Sequence, residues 1–159
     1  MSKLDDIYMA EALKEARRAF EEDEVPVGAV IVHRGRVIAK AHNQIMLLRD
    51  PTAHAEMIAI TQAASFLGNE RLLDTAIYVT IEPCPMCAGA LVLARVKRLI
   101  YGADDPKAGA AGSVVDITRN RKLNHRLDVK SGILREECAG LLREFFGSRR
   151  RTKIRGEVA

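Results

Sequence analysis

Two short stretches of this 159-residue chain carry residue types that do chemistry at useful spacing: His54-Ala55-Glu56 and, about thirty residues on, Pro83-Cys84-Pro85-Met86-Cys87. A Cys-x-x-Cys pair alone suits a thioredoxin-like redox centre as well as a metal site. On one helical turn the two sulfurs share a side, and a helix N-terminus favours the thiolate that a metal needs, but redox enzymes need it too. His54 breaks the tie. Standing alone it reads as a helix cap or a core residue. With the two cysteines it makes a His and two Cys set that leaves the fourth tetrahedral position for water, the composition of a catalytic zinc site with one zinc per chain. Glu56 alone would be an acid favoured by the helix dipole. Two residues from a ligand, its carboxylate can instead lie beside the metal, accept the proton of the activated water and pass it on.

These residues need elements to hold them. Ser2-Lys-Leu-Asp5 reads as a capping box, and Met9, Ala12, Leu13, Ala16 and Phe20 follow at helical spacing until Pro26 stops the pattern. Val27 to His33 and Arg36 to His42, parted by Arg34-Gly35, predict a hairpin. A helix is expected from about His54 to Leu67, ending at Gly68, then a strand from Thr75 to Ile81 that runs into Glu82-Pro83-Cys84-Pro85. Ala88 to Val96 is apolar enough for a buried helix, and Leu99 to Gly102 reads as a fourth strand. Ala103 to Ser113, rich in Gly and Ala, is expected to be a loop. Asp128 to Ile133 reads as a fifth strand, and a last helix runs from about Leu134 to Phe146 toward a basic tail. Strands alternating with helices predict an α/β sandwich, in which ligands bind where strands end and helices begin. Both chemical segments sit at predicted helix N-termini.

Length and a 48% hydrophobic fraction fit one domain, here residues 1–148 with a basic tail at 149–159. No apolar run is long enough to cross a bilayer, and no membrane partner is expected. Met1 to Glu24 carries eight acids and four bases without an apolar core, so it does not read as a secretory signal, and a cytoplasmic protein is expected. Cys138 falls in the apolar register of the last helix, the place of a small buried hydrophobe. The net charge of +4 divides into −4 for residues 1–24 and +8 for the rest. Basic clusters at Arg119, Arg121, Lys122 and Arg126, and at Arg149, Arg150, Arg151, Lys153 and Arg155, are either solvated surface or the footprint of a polyanion.

The His-x-Glu and Pro-Cys-x-x-Cys pair is the signature of the cytidine deaminase superfamily. Within it the chain resembles the bacterial tRNA-specific adenosine deaminases from its first helix to about Arg151. The resemblance rests on Glu24-Val-Pro-Val-Gly-Ala29, Ala41-His-Asn43, Thr80 to Gly89, Gly102-Ala-Asp-Asp-Pro-Lys107, Gly109 to Ser113, Asn124-His125, and Phe145-Phe146 followed by arginines. It implies a three-layer α/β/α sandwich around a mixed five-stranded sheet, a homodimer, and zinc-dependent hydrolysis of the wobble adenosine to inosine in a tRNA anticodon stem-loop. It further implies that Asn43 hydrogen-bonds the base, that Ala55 offers its backbone N–H, and that Asp105, Asn124, Phe146 and Arg149 contact extruded anticodon nucleotides. Blander roles exist: Asn43 could end a strand, Asn124 cap a turn, Asp105 cap the Asp-Pro turn, and Phe145-Phe146 pack in the core. Gly147-Ser148 is a weak helical stretch just before Arg149.

Ile45-Met-Leu-Leu48 places four apolar residues in an expected connection, where they either cover the core or meet a second subunit. Two rival functions share the zinc motif. A deaminase of a free base or nucleoside, such as guanine or cytidine, has no need of the basic tail. A structural zinc module that only binds RNA needs a fourth protein ligand, for which Cys138 or His125 would serve.

Overall fold

The computed structural model describes residues 3–154, with side chains described through Arg149. The elements run α1 (Lys3–Glu21), β1 (Gly28–His33), β2 (Arg36–His42), α2 (Ile45–Leu48), α3 (Ala55–Leu67), β3 (Thr75–Ile81), α4 (Pro85–Ala94), β4 (Arg98–Ala103), β5 (Asp128–Lys130) and α5 (Arg135–Ile154). Ser2 of the expected capping box and the tail beyond Ile154, with Arg155, lie outside the described residues.

One sheet of five strands has the order β2-β1-β3-β4-β5. β1 is antiparallel to both its neighbours, while β3, β4 and β5 run parallel, so the sheet is mixed as expected. Side chains two apart on a strand share a face. Accordingly Ala29, Ile31, Ile77, Val79, Leu99 and Tyr101 pack with Ala55, Ala59 and Ala63 of α3 and Leu91 and Val92 of α4. Val30, Val32, Tyr78 and Ile100 face the other way, onto Met9, Ala12 and Leu13 of α1 and Cys138 of α5. These are the three layers, and Cys138 is the buried hydrophobe its register predicts.

Gly28 shows how tightly the layers meet. A Cβ there would collide with the Ala12 carbonyl and the Ala16 backbone nitrogen, so only glycine lets α1 lie this close to β1. The predicted hairpin turn is present, with Arg34 and Gly35 at φ 50° and 76°, the left-handed pair that matches strand twist.

The structure departs from expectation in several places. Ile45–Leu48 is a one-turn helix, which the sequence reading treats as a connection; buried Glu24 accepts from the Met46 and Leu47 N–H groups at 3.0 and 2.9 Å and so supplies the cap. α4 begins at Pro85 rather than Ala88, since a proline lacking an N–H suits the first helical position. β5 ends at Lys130, short of Ile133, because Gly132 turns the chain at φ 83° toward α5. α5 runs unbroken through Gly147-Ser148 to Ile154.

Candidate active site

His54 and Cys84 occupy equivalent places. Each is the N-cap residue of its helix, α3 and α4, with extended backbone (φ −72° for both), and neither side chain makes a capping bond. Both side chains are therefore released toward the space between the two helix starts. Cys87, in the first turn of α4, faces the same space and is fully buried.

His54 Nδ1 lies 3.7 Å from Cys84 Sγ and 3.5 Å from Cys87 Sγ. Tetrahedral coordination with ordinary Zn–N and Zn–S bonds puts such atoms about 3.6 Å apart, so the donor set fits a zinc-sized ion. Nδ1 is the His54 ring nitrogen that faces both sulfurs. The three donor atoms all lie within 4.8 Å of one another, and this is the group among the described residues that could hold a metal. Neither candidate for a fourth protein ligand joins it: His125 Nε2 donates to the Val96 carbonyl at 2.7 Å, and Cys138 is packed in the core on the opposite face of the sheet. The site is open rather than closed.

The three side chains shift one another's protonation. A hydrogen bond from the Cys87 thiol brings Cys84 down to about 4, while the same bond, with burial, pushes Cys87 up. The hydrogen bond with Cys84 raises His54. Glu56 is 2% exposed, and burial pushes its carboxyl up to about 7, a value suited to taking and giving a proton near neutral pH.

A cavity of about 830 Å³ opens above these groups, large for one purine base and within the usual range of ligand sites. His54, Glu56 and Cys84 line its base, Val25, Val27, Ile45, Ile81, Leu142 and Phe146 give apolar walls, and Asn43, Glu82, Asp105, Lys107, Arg143 and Arg149 add polar groups.

Of the sequence-predicted substrate residues, Asn43, Asp105, Phe146 and Arg149 line this cavity. Buried Asn43 accepts the Ala55 N–H at 2.8 Å through Oδ1, so the two are one unit here and the Asn43 amide NH₂ is the group left to meet a base. Asp105 caps its turn, Oδ1 accepting from the Lys107 and Ala108 N–H groups at 3.0 and 3.2 Å, and the residue stands on the cavity wall. Phe145 is buried against Phe20, and Phe146 is 46% exposed on the cavity side. Asn124 is not brought to the site. It is exposed next to His125, whose bond to Val96 fixes it beyond the far end of α4, about 15 Å of helix from the ligands.

The sequence reading passed over Glu82, which is 1% exposed and lines the same cavity. The available signal was an acid closing an otherwise apolar strand, since a buried charge requires dedicated partners.

Comparison with known proteins agrees with this geometry. The family model of MafB19-like deaminases matches residues 3–150. A tRNA-specific adenosine deaminase of Bacillus subtilis (strain 168) is 48% identical over 94% of this chain and 92% of its own length. One from Agrobacterium fabrum is 50% identical over 90% and 94%. The chain belongs to the tRNA-specific adenosine deaminase family. Among solved structures similar to this family member, one from studies of A-to-I editing by tRNA:A34 deaminases is 50% identical, with a TM-score of 0.83 over 86% of this chain and 99% of that one. A guanine deaminase from Nitrosomonas europaea shares the fold at 26% identity, with a TM-score of 0.75 over 89% and 84%. Among the described residues, no helix is long and apolar enough to cross a membrane.

Proposed function

We propose that this protein hydrolytically deaminates the wobble adenosine of a tRNA anticodon loop to inosine, using one zinc ion held by His54, Cys84 and Cys87. The observation that carries the reading is the tetrahedral spacing of the three donors beside buried Glu56, at the base of a cavity walled by apolar and cationic side chains. Zinc bound there supplies the Lewis acidity that makes water a nucleophile near neutral pH. The Glu56 carboxylate takes one proton of that water and gives it to the purine ring nitrogen beside the reacting carbon; it then takes the proton left on the added hydroxyl and gives it to the amine, which departs as ammonia while the carbonyl of inosine forms. Asn43 orients the base through its amide, with the Ala55 N–H fixing the amide in turn. Phe146 offers a ring against which a neighbouring base can stack, while Arg149, Lys107 and Arg143 face phosphates.

Met46, Leu47 and Leu48 are 71%, 67% and 53% exposed, so they do not cover the core and suit a contact with a second subunit, in keeping with a homodimer. A single extruded nucleotide with its neighbours suits the cavity better than a free base, which would leave most of it filled with water. Incubation with a tRNA anticodon hairpin, guanine and cytidine in parallel tests the substrate: inosine in the hairpin is expected, and turnover of a free base or nucleoside with none of the hairpin would replace this reading.

A further inference from the structure

Glu82 directly follows β3, two residues before Cys84, and the proposed chemistry gives it nothing to do. It is nonetheless buried, and a buried carboxylate is costly unless its lone pairs are filled. Here they are filled by one loop. Oε1 accepts the Asp105 N–H at 3.0 Å and the Ser113 hydroxyl; Oε2 accepts the Ala111 and Ser113 N–H groups at 2.9 and 3.0 Å. Burial alone would raise this carboxyl, but these bonds hold it below the usual range. Backbone bonds add to the seam: Glu82 N–H to the Ala103 carbonyl at 2.9 Å and Ala110 N–H to the Pro83 carbonyl at 2.8 Å. Gly109 has no Cβ for the same reason, because one would fall on the Glu82 carboxyl group.

We infer that Glu82 is a positioning residue for substrate, its carboxylate clamping residues 105–113 to the ligand-bearing end of β3 and so setting where Asp105 stands on the cavity wall. Apolar packing could bury such a loop but could not fix its register; four directional bonds to one rigid carboxylate do. Cys84 and Cys87 follow Glu82 by two and five residues at the β3–α4 junction, so the wall and the reacting centre share one foundation.

The inference rests on the RNA deaminase reading for its kinetic consequence, while its structural half can be read without substrate. In Glu82→Gln one oxygen becomes an NH₂ that faces donors, leaving N–H groups unpaired. Amide exchange at residues 105, 111 and 113 should then rise about tenfold or more, metal content staying as in wild type. With an anticodon hairpin, KM should rise about tenfold and kcat at saturating RNA change by less than about threefold, the signature of lost positioning rather than lost chemistry. Gly109→Ala should reproduce this, and the double variant should be no worse than either single one, because both act on the same contact. Wild-type exchange in Glu82→Gln, or a fall in kcat at constant KM, overturns the assignment. Should Glu82→Gln not fold, Ser113→Ala decides: loss of the hydroxyl bond raises exchange and KM severalfold, and no change in both overturns it. Wild-type protein that leaves the hairpin untouched defeats the RNA reading, whereas unchanged exchange defeats the clamp.

Discussion

Arg149 Nη2 donates to the Asp23 carbonyl at 2.6 Å while its guanidinium lies 4.4 Å above the centre of the Phe145 ring. The contact joins α5 to the turn between α1 and β1, next to Glu24, which caps α2. Arg149 also lines the cavity, so one side chain ties the cavity wall to that turn. Arg149→Ala should raise KM for an anticodon hairpin about tenfold, through looser walls as well as a lost cation. Arg149→Lys keeps the charge but loses the planar stack, so kinetics close to wild type in the lysine variant would show that charge alone matters.

The same latch changes how the basic tail has to be tested. Deleting residues 149–159 removes Arg149 along with the tail, so a truncation after Arg149 isolates the electrostatic contribution. Without Arg150, Arg151, Lys153 and Arg155, the slope of log affinity against log salt should flatten by about three to four, with helicity otherwise intact. A slope equal to wild type would return these residues to solvated surface.

Glu56 and Cys87 should separate chemistry from ligation. Glu56→Ala is expected to keep one zinc per chain and lose activity by on the order of a thousandfold. Cys87→Ser should lose most of the zinc as well. Metal analysis beside turnover checks both; full zinc in Cys87→Ser would remove that sulfur from the site.

Asp105 lines a cavity that should receive a polyanion, where an acid needs a compensating contact. Oδ1 is occupied by the turn, and a ribose 2′-hydroxyl can donate to the remaining carboxylate oxygen. Asp105→Asn should shrink the preference for RNA over DNA hairpins, since the amide is neutral and loses less when no hydroxyl is present. The measurement is the ratio of kcat/KM for matched hairpins; an identical ratio in both proteins would mean that Asp105 does not read the sugar.

Far from the cavity, Asp5 is 2% exposed and joins three elements, accepting from Tyr78 Oη at 2.6 Å and pairing with Lys130 at 2.8 Å and Arg98 at 3.6 Å. Burial works against its charge, but these partners outweigh it and leave the carboxyl below its ordinary value. A lowered folded-state value means stability that is present above the unfolded value near 4 and lost as pH falls through the folded one. Asp5→Asn should therefore cost about 3 kcal/mol at pH 7, and the gap to wild type should close below about pH 4. Unfolding curves at the two pH values test this; a gap constant with pH would point to packing instead.

The sequence carried the site better than its surroundings. His54, Cys84 and Cys87 were legible because metal ligation demands particular atoms, and the end of α3 because Gly68 punctuates the chain, whereas the sequence reading puts the start of α4 three residues late, with Pro85 in the approach to the helix. Val and Ile richness on either side of Arg34-Gly35 likewise gave the hairpin strands. α2 was not legible, since a one-turn helix has no periodicity and depends on Glu24 from a distant turn. Glu82 was missed for a related reason: its partners lie 23 to 31 residues away, in a segment whose composition says only loop. The position of Asn124 depends on His125 reaching Val96, a contact no local pattern encodes.

His54 and Cys84 stand 30 residues apart along the chain, with α3 and β3 between them. An ion that joins them therefore ties a loop in the polypeptide as well as serving chemistry. Closing a span of that length removes chain entropy from the unfolded ensemble worth about 3 to 4 kcal/mol in the cross-link description. The ligands that activate water would then also act as a removable staple, and chelation should show itself first as faster global unfolding, in solution and without any RNA present.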